Sequence, residues 1–199
     1  NIFNVSNFQK DESILIHGGS SGIGTTAISI LKNYTKNLYV TAGTNQKCKS
    51  CIELGATEAI NYKDLDFEEY FNEKNLKVDV ILDMVGGEYL KKNLKILNFK
   101  GRLTYIAALG GIKGEANLLH IMNKQLKISG STLRSRTPLE KGIIVDQVQK
   151  EIWPLIEDGK YKPTIFETFK MHEVNKAHEV MEKCDHIGKI VLDIKGEQA

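Results

Sequence analysis

The sequence predicts an α/β fold in which one doubly wound sheet of six parallel strands carries helices on both faces. Three observations predict it. From Ser13 to Gly130, short apolar runs alternate with segments of helical spacing, and such alternation builds parallel β-α-β units rather than hairpins. Glycine-rich turns at 18–24, 43–44, 86–87 and 110–111 each follow an expected strand. That is the edge at which a sheet of this kind opens its ligand crevice. The run Val78–Asp83 is nearly continuously apolar, as a strand buried on both faces must be.

The elements follow in order. Residues 1–12 read as a lead-in helix or linker with Ile2, Phe3, Val5 and Phe8 as anchors. The stretch SILIHGGSSGIGTTAISI, Ser13 to Ile30, is strand, glycine turn and helix. Leu38–Ala42 is the second strand, and the helix after it stops at Gly55, a residue suited to a helix C-terminus. Glu58–Tyr62 forms the third strand. Residues 63–77 are charged and are expected to hold a surface helix. After the Val78–Asp83 strand come a helix from Tyr89 to Leu97, a strand from Arg102 to Ala107, and a short helix ending near Asn123.

Leu126–Gly130 is the sixth strand. The outermost extended segment is expected to reach from Leu126 to Arg134, and an unpaired edge is a template for another chain. Pro138 opens a helix to about Asp158, and Pro154 should kink or divide it. An extended segment from Pro163 to Phe169, a helix from His172 to Lys183 and a strand from Lys189 to Asp193 complete the order.

Composition excludes several functions. Hydrophobic residues make up 41% and charged residues 26%, an ordinary globular balance. A net charge of +2 gives no electrostatic footprint for nucleic acid or an anionic membrane. No apolar run approaches the ~20 residues of a membrane span. The chain shows no basic-then-apolar leader and opens on Asn1, as a stretch from mid-protein would. Cys48, Cys51 and Cys184 are an odd set, which argues against a disulfide framework. The C-x-x-C of Cys48 and Cys51 has no second ligand pair for zinc. It reads as two thiols on one helix of a reduced, cytoplasmic protein, with a redox pair as the alternative. His172 and His178 are six apart and share no helix face, so they read as surface residues.

Gly19, Gly22 and Gly24 read G-x-x-G-x-G, with Gly18 as a fourth glycine. Residues without a Cβ let the backbone approach a ligand closely. The first amides of the following helix then face an anion, which suits a dinucleotide pyrophosphate. An ordinary turn is the alternative. Sites for NAD place an acid after the second strand to hold the ribose 2′-hydroxyl. This chain has Gly43-Thr44-Asn45-Gln46-Lys47, and the next acid is Glu53. That set suits a 2′-phosphate and so NADPH; the alternative is that Thr44 to Lys47 merely start a helix. No Ser/His/Asp, paired-carboxylate or metal constellation appears, so no catalytic residue is named.

Seven segments then occur in a familiar order: HGGSSGIGTTAI, TAGTNQK, LGATEAINY, ILDMVGG, GRLTYIAALGG, STLRSR and AHEVMEKCDHIGKIVLDI. Together they resemble the cofactor-binding half of the zinc-free medium-chain dehydrogenase/reductases, of the zeta-crystallin-like NADPH:quinone oxidoreductase type. The resemblance implies a Rossmann-type domain over residues 13–187. It implies that 188–199 supply a terminal strand to a GroES-like catalytic domain that is largely absent from these residues. It assigns Ser21, Gly22, Ile23 and Gly24 to the pyrophosphate, and Gly43, Thr44 and Lys47 to the 2′-phosphate. Tyr62 is placed beside the adenine ribose and Met84 along the cofactor. Ile106, Ala107, Ala108, Leu109, Gly110 and Gly111 are placed at the nicotinamide.

Where some relatives carry an arginine just before the last strand, this chain has Cys184, which puts that contact in doubt. Lys189 stands in a family-like GK pair, with a solvated strand end as its alternative. The implied activity is hydride transfer from NADPH to a quinone or enone, by a homodimer joined through the edge 126–134. Enoyl reduction on a thioester is the rival activity, and a catalytically incompetent cofactor-binding fragment is another. The GGSSGIG motif also resembles short-chain dehydrogenases. Those need a Tyr-x-x-x-Lys far downstream, and the one match, Tyr70 with Lys74, lies much too near.

Overall fold

The computed structural model describes residues 1–194. Its first half runs β1 (Ile14–His17), α1 (Gly22–Leu31), β2 (Leu38–Ala42), α2 (Asn45–Leu54), β3 (Glu58–Asn61), α3 (Phe67–Glu73) and β4 (Val78–Asp83). It continues α4 (Tyr89–Ile96), β5 (Leu97–Tyr105), α5 (Leu118–Lys124), β6 (Lys127–Gly130), α6 (Pro138–Glu151), α7 (Trp153–Glu157) and β7 (Ile165–Lys170). A 3-10 turn (Met171–Glu173), α8 (Val174–Lys183) and β8 (Lys189–Asp193) follow. Six strands pair in the order β3-β2-β1-β4-β5-β6, every neighbour parallel. This is the doubly wound Rossmann-type sheet that the sequence predicts.

Alternation of side chains along each strand divides the core into two layers. On one face Leu15, Tyr39, Ile81 and Leu103 pack with Phe67, Phe71 and Leu94 from α3 and α4. On the other, Ile14, Ile16, Val40, Val80 and Leu82 pack with Ala27, Ile28 and Leu31 of α1 and with Cys51 of α2. Helix starts are set by local chemistry. Side chains of Ser21, Thr44, Asp66 and Asn117 cap α1, α2, α3 and α5. Thr137 and Glu140 form a capping box on α6, each satisfying a backbone amide the helix leaves unpaired.

Five boundaries differ from the sequence expectation. Residues 1–12 form turns rather than a helix, because Phe3 and Phe8 find aromatic partners in a cluster with Tyr34 without helical periodicity. The helix within 63–77 is no surface element. Phe67 and Phe71 of α3 are among the most buried side chains, and the charged residues beside them hide that face in the sequence. The third strand stops at Asn61, one residue early. The edge strand β6 ends at Gly130, well short of Arg134. The fifth strand spans Leu97–Tyr105 rather than Arg102–Ala107; the helix from Pro138, by contrast, divides at Ile152, as Pro154 predicts.

The last elements form a small unit of their own. β7 and β8 pair in parallel with α8 between them. The 188–194 segment therefore has a strand partner inside this chain. Residues 195–199 of the expected terminal segment lie outside the described residues.

Candidate functional site

The turn between β1 and α1 is held from the second strand. The Gly18 amide donates to Thr41 Oγ1 at 3.3 Å and the Gly19 amide to the Thr41 carbonyl at 2.8 Å. Gly18 has φ +77°, and a Cβ there would lie 2.5 Å from Met84 Sδ. Ser21 Oγ accepts from the Gly24 amide at 3.0 Å, so its hydroxyl belongs to the helix cap. Gly22 is half-buried and Ile23 is 53% exposed at the start of α1. Ser21, Gly22, Ile23 and Gly24 thus sit together where the helix opens on the crevice.

A second group forms at the ends of β2 and β3. A Cβ on Gly43 would lie 2.7 Å from Tyr62 Oη, so the two residues are in contact. Thr44 Oγ1 caps α2 by accepting from the Lys47 amide at 3.2 Å. Lys47 Nζ donates to the carbonyl of Cys184. An ammonium carries three donors, so that bond leaves Lys47 two more. No carboxylate follows β2 before Glu53.

The opposite wall is two glycine turns zipped together. The Leu109 amide donates to the Met84 carbonyl at 3.0 Å, and Gly110 to the Val85 carbonyl at 2.7 Å. Gly87 donates to the Gly111 carbonyl at 2.9 Å, and Ile106 to the Asp83 carbonyl at 2.8 Å. Gly86 and Gly87 have φ of +68° and +54°, a region that glycine alone enters freely. Met84 and Ile106–Gly111 are therefore brought together. Ala107, Ala108, Leu109 and Gly110 are exposed, Leu109 by 81%. A cavity of about 170 Å³ lies between the two turns, under Tyr105.

Two features lie outside the sequence assignment. The Gly188 amide donates to the Ser20 carbonyl at 2.9 Å, and Lys189 Nζ donates to the Gly22 carbonyl at 2.8 Å. The GK pair is thus docked on the glycine turn rather than at a solvated strand end, and it sets a cation beside the start of α1. The spacing of the pair before the last strand carried that signal. The second is a set of buried polar residues, His17, Thr41, Asp83 and Asn93. The signal was a histidine at the end of one strand and an aspartate at the end of another.

Cys48 and Cys51 are free and buried on α2. Burial, with the Cys48 thiol beside it, pushes the Cys51 thiol up to about 12. Burial and then Asp64 push Cys48 above the usual thiol range. Only the thiolate is a nucleophile, so both should stay unreactive at neutral pH. Brief treatment of the folded chain with iodoacetamide at pH 7.5 is expected to label Cys184, which is exposed, and neither thiol of α2. Mass spectrometry showing equal labelling of Cys51 would count against this reading. Among the described residues no three His, Cys, Asp or Glu side chains are grouped to hold a metal ion. No helix among them is long and apolar enough to cross a membrane.

Comparison with known proteins matches this geometry. The family model described as "Zinc-binding dehydrogenase" matches residues 54–192. The quinone oxidoreductase of Homo sapiens is 31% identical over 91% of this chain, which spans 54% of that relative's length. Among solved structures, the quinone oxidoreductase of Escherichia coli, complexed with NADPH, superposes with a TM-score of 0.82 at 25% identity. That match covers 96% of this chain and 60% of the other. The CurK enoyl reductase superposes at 0.78 with 26% identity, over 96% of this chain and 57% of its own. This chain spans about half the length of the curated quinone oxidoreductases it matches. With its sheet order, its glycine turns and the matched residues, the chain belongs to the zinc-binding dehydrogenase family, within the medium-chain dehydrogenase/reductases.

Proposed function

We propose that this chain is the cofactor-binding portion of an oxidoreductase that passes hydride from NADPH to a quinone or enone. The observation that carries the reading is the start of α1. There Gly22 and Ile23 lie open beside the Lys189 ammonium, and a helix N-terminus with an added cation suits a pyrophosphate. The residues fit the group. A Cβ on Gly22 would press on Lys189 at 3.3 Å, so the glycine lets that ammonium lie close against the start of the helix. Ser21, Gly22, Ile23 and Gly24 would hold the pyrophosphate, and Gly43, Thr44 and Lys47 the 2′-phosphate. Tyr62 would lie beside the adenine ribose, and Met84 with Ile106–Gly111 beside the nicotinamide. NADPH would supply the hydride, while the chain's own residues bind and orient it. The likeness to the CurK enoyl reductase supports a second reading, enoyl reduction on a thioester, which would use the same cofactor site.

The choice of cofactor is open to a direct test. NADPH is expected to bind more tightly than NADH, because the residues proposed for the 2′ position offer an ammonium and a hydroxyl and no carboxylate. A charge-assisted contact of this kind is worth on the order of 1–3 kcal/mol. Lys47→Ala should therefore weaken NADPH by about five- to a hundredfold and leave NADH nearly unchanged. Fluorescence titration of both cofactors checks this. Equal affinities in the parent chain, or an unaltered NADPH affinity in the variant, would remove Lys47 and Thr44 from the site.

The edge of the sheet supports a homodimer. β6 pairs with β5 on one side, and Ile128 on it is 41% exposed. Unpaired strand edges invite pairing with a second copy about a twofold axis. Light scattering at micromolar concentration is expected to give twice the 22.3 kDa of one chain. A monomer, or a dimer that survives proline at Ile128, would rule out this edge as the interface.

A further inference from the structure

Four buried polar side chains join the two glycine turns through the middle of the sheet. Thr41, His17, Asn93 and Asp83 are each at most 1% exposed. Thr41 Oγ1 lies 3.1 Å from His17 Nδ1. His17 Nε2 lies 2.9 Å from Asn93 Oδ1, and Asn93 Nδ2 donates to Asp83 Oδ2 at 2.9 Å. Each end of the row grips a turn. Asp83 Oδ1 accepts from the amides of Val85 at 2.5 Å and Gly86 at 3.1 Å. Thr41 Oγ1 accepts from the amide of Gly18.

The polarity of the row follows from its ends. Asp83 receives three N–H donors and acts as a pure acceptor. Asn93 therefore presents its amide nitrogen to Asp83 and its oxygen to His17, so Nε2 of the imidazole carries the proton. Burial pushes His17 below the ordinary histidine range and keeps the ring neutral, against the pull of Asp83 and Asn93. Nδ1 is then an acceptor and takes the Thr41 hydroxyl proton. That leaves the hydroxyl oxygen for Gly18. The rings of Phe67 and Tyr89 stand edge-on to the imidazole at 4.7 Å and 4.8 Å, which closes its flanks with apolar surface.

We propose that Thr41, His17, Asn93 and Asp83 act as one positioning row that holds the Gly18 turn and the 83–86 turn in a fixed relation. The geometry stands by itself. Its consequence for binding rests on the cofactor reading above, in which the first turn takes the pyrophosphate of NADPH and the second lies along the same molecule toward the nicotinamide. A buried polar network is costly to leave half satisfied, so a break at either end should loosen both turns.

Thr41→Val removes the hydroxyl at nearly constant shape, and Thr41→Ser restores it. Nuclear magnetic resonance of the chain without cofactor gives the first readout. In Thr41→Val the amides of Val85 and Gly86, which Thr41 does not touch, are expected to exchange with solvent about tenfold faster. Thr41→Ser should return them to the parent rate. The histidine ¹⁵N shifts of the parent should report a neutral ring with its proton on Nε2. Unchanged exchange at Val85 and Gly86, or a proton on Nδ1, would overturn the proposal.

NADPH titration gives the second readout. Thr41→Val and Asn93→Leu are each expected to bind about tenfold more weakly, and the double variant no more than about tenfold. Independent sites would instead multiply to about a hundredfold, and that result would overturn the coupling. If Asn93→Leu does not fold, exchange in Thr41→Val decides alone. If the parent chain binds no NADPH, the cofactor reading fails while the exchange readout still decides the row.

Discussion

Alanine at Gly24 is expected to abolish NADPH binding and to lower the stability of the chain by about 1–3 kcal/mol. The added Cβ would lie 2.3 Å from the Gly18 carbonyl oxygen, 2.5 Å from that of Gly19 and 2.6 Å from the Gly19 carbonyl carbon. All three are backbone atoms of the turn, so no side chain can swing aside. Either α1 lifts from the sheet, which uncovers Ala27, Ile28 and Leu31, or the turn unfolds. Gly22→Val is the informative contrast. Its Cβ meets the flexible Lys189 side chain at 3.3 Å, so the fold should persist while the approach to the helix amides is filled. Thermal melts and fluorescence titration of both variants separate the effects. A Gly24→Ala chain that binds NADPH within about twofold of the parent would mean that the close packing of this turn is irrelevant to binding.

Turnover should depend on more protein than this chain contains. Hydride transfer needs the acceptor within roughly 3–3.5 Å of the nicotinamide carbon, in a site closed to bulk water. The residues assigned beside the nicotinamide, Ile106–Gly111, form one wall, and Leu109 on it is 81% exposed. The 199-residue chain is therefore expected to bind NADPH yet reduce a simple benzoquinone at least about a hundredfold more slowly than a version extended to the length of its relatives. Steady-state assays of the two side by side decide this. Equal rates would place the whole active site within the present residues and discard the two-domain account. A thioester substrate that reacts with the long form, where benzoquinone does not, would favour the enoyl reading.

Much of this architecture was legible in the residues, for an identifiable reason. Strands β1, β2 and β4 are buried along nearly their whole length, so their composition is uniformly apolar and their limits are clear. Positions that must lack a Cβ, such as Gly18 and Gly24, announce themselves as glycine. What escaped reading was decided by partners distant in the chain. α3 looked solvated because Glu68, Glu69 and Glu73 outweigh the buried pair Phe67 and Phe71 in a short segment. Residues 1–12 carry apolar side chains at spacings a helix could use, yet they turn to meet Tyr34. The role of Lys189 depends on Gly22 across the fold, and pairing β8 with β7 depends on α8 carrying the chain back in parallel. The row from Thr41 to Asp83 links four elements, and its only local sign is a polar residue at the end of two strands, His17 and Asp83.

The opening dozen residues have a mechanical meaning. Ser6 Oγ lies 2.7 Å from Thr104 Oγ1, which in turn lies 2.8 Å from Ser129 Oγ. Arg102 Nε donates to the Ser6 carbonyl at 2.9 Å and its guanidinium pairs with Glu12. The Ser131 hydroxyl donates to the side chain of Asn1. The segment is therefore moored to β5 and β6 at several points rather than tethered by a loose leash. Tension applied at Asn1 would run straight into the two outer strands, one of which leads directly into Ile106–Gly111. A polypeptide joined ahead of Asn1 would pivot at that junction and not at residue 12. Its leverage on Ile106–Gly111 would then be short and stiff.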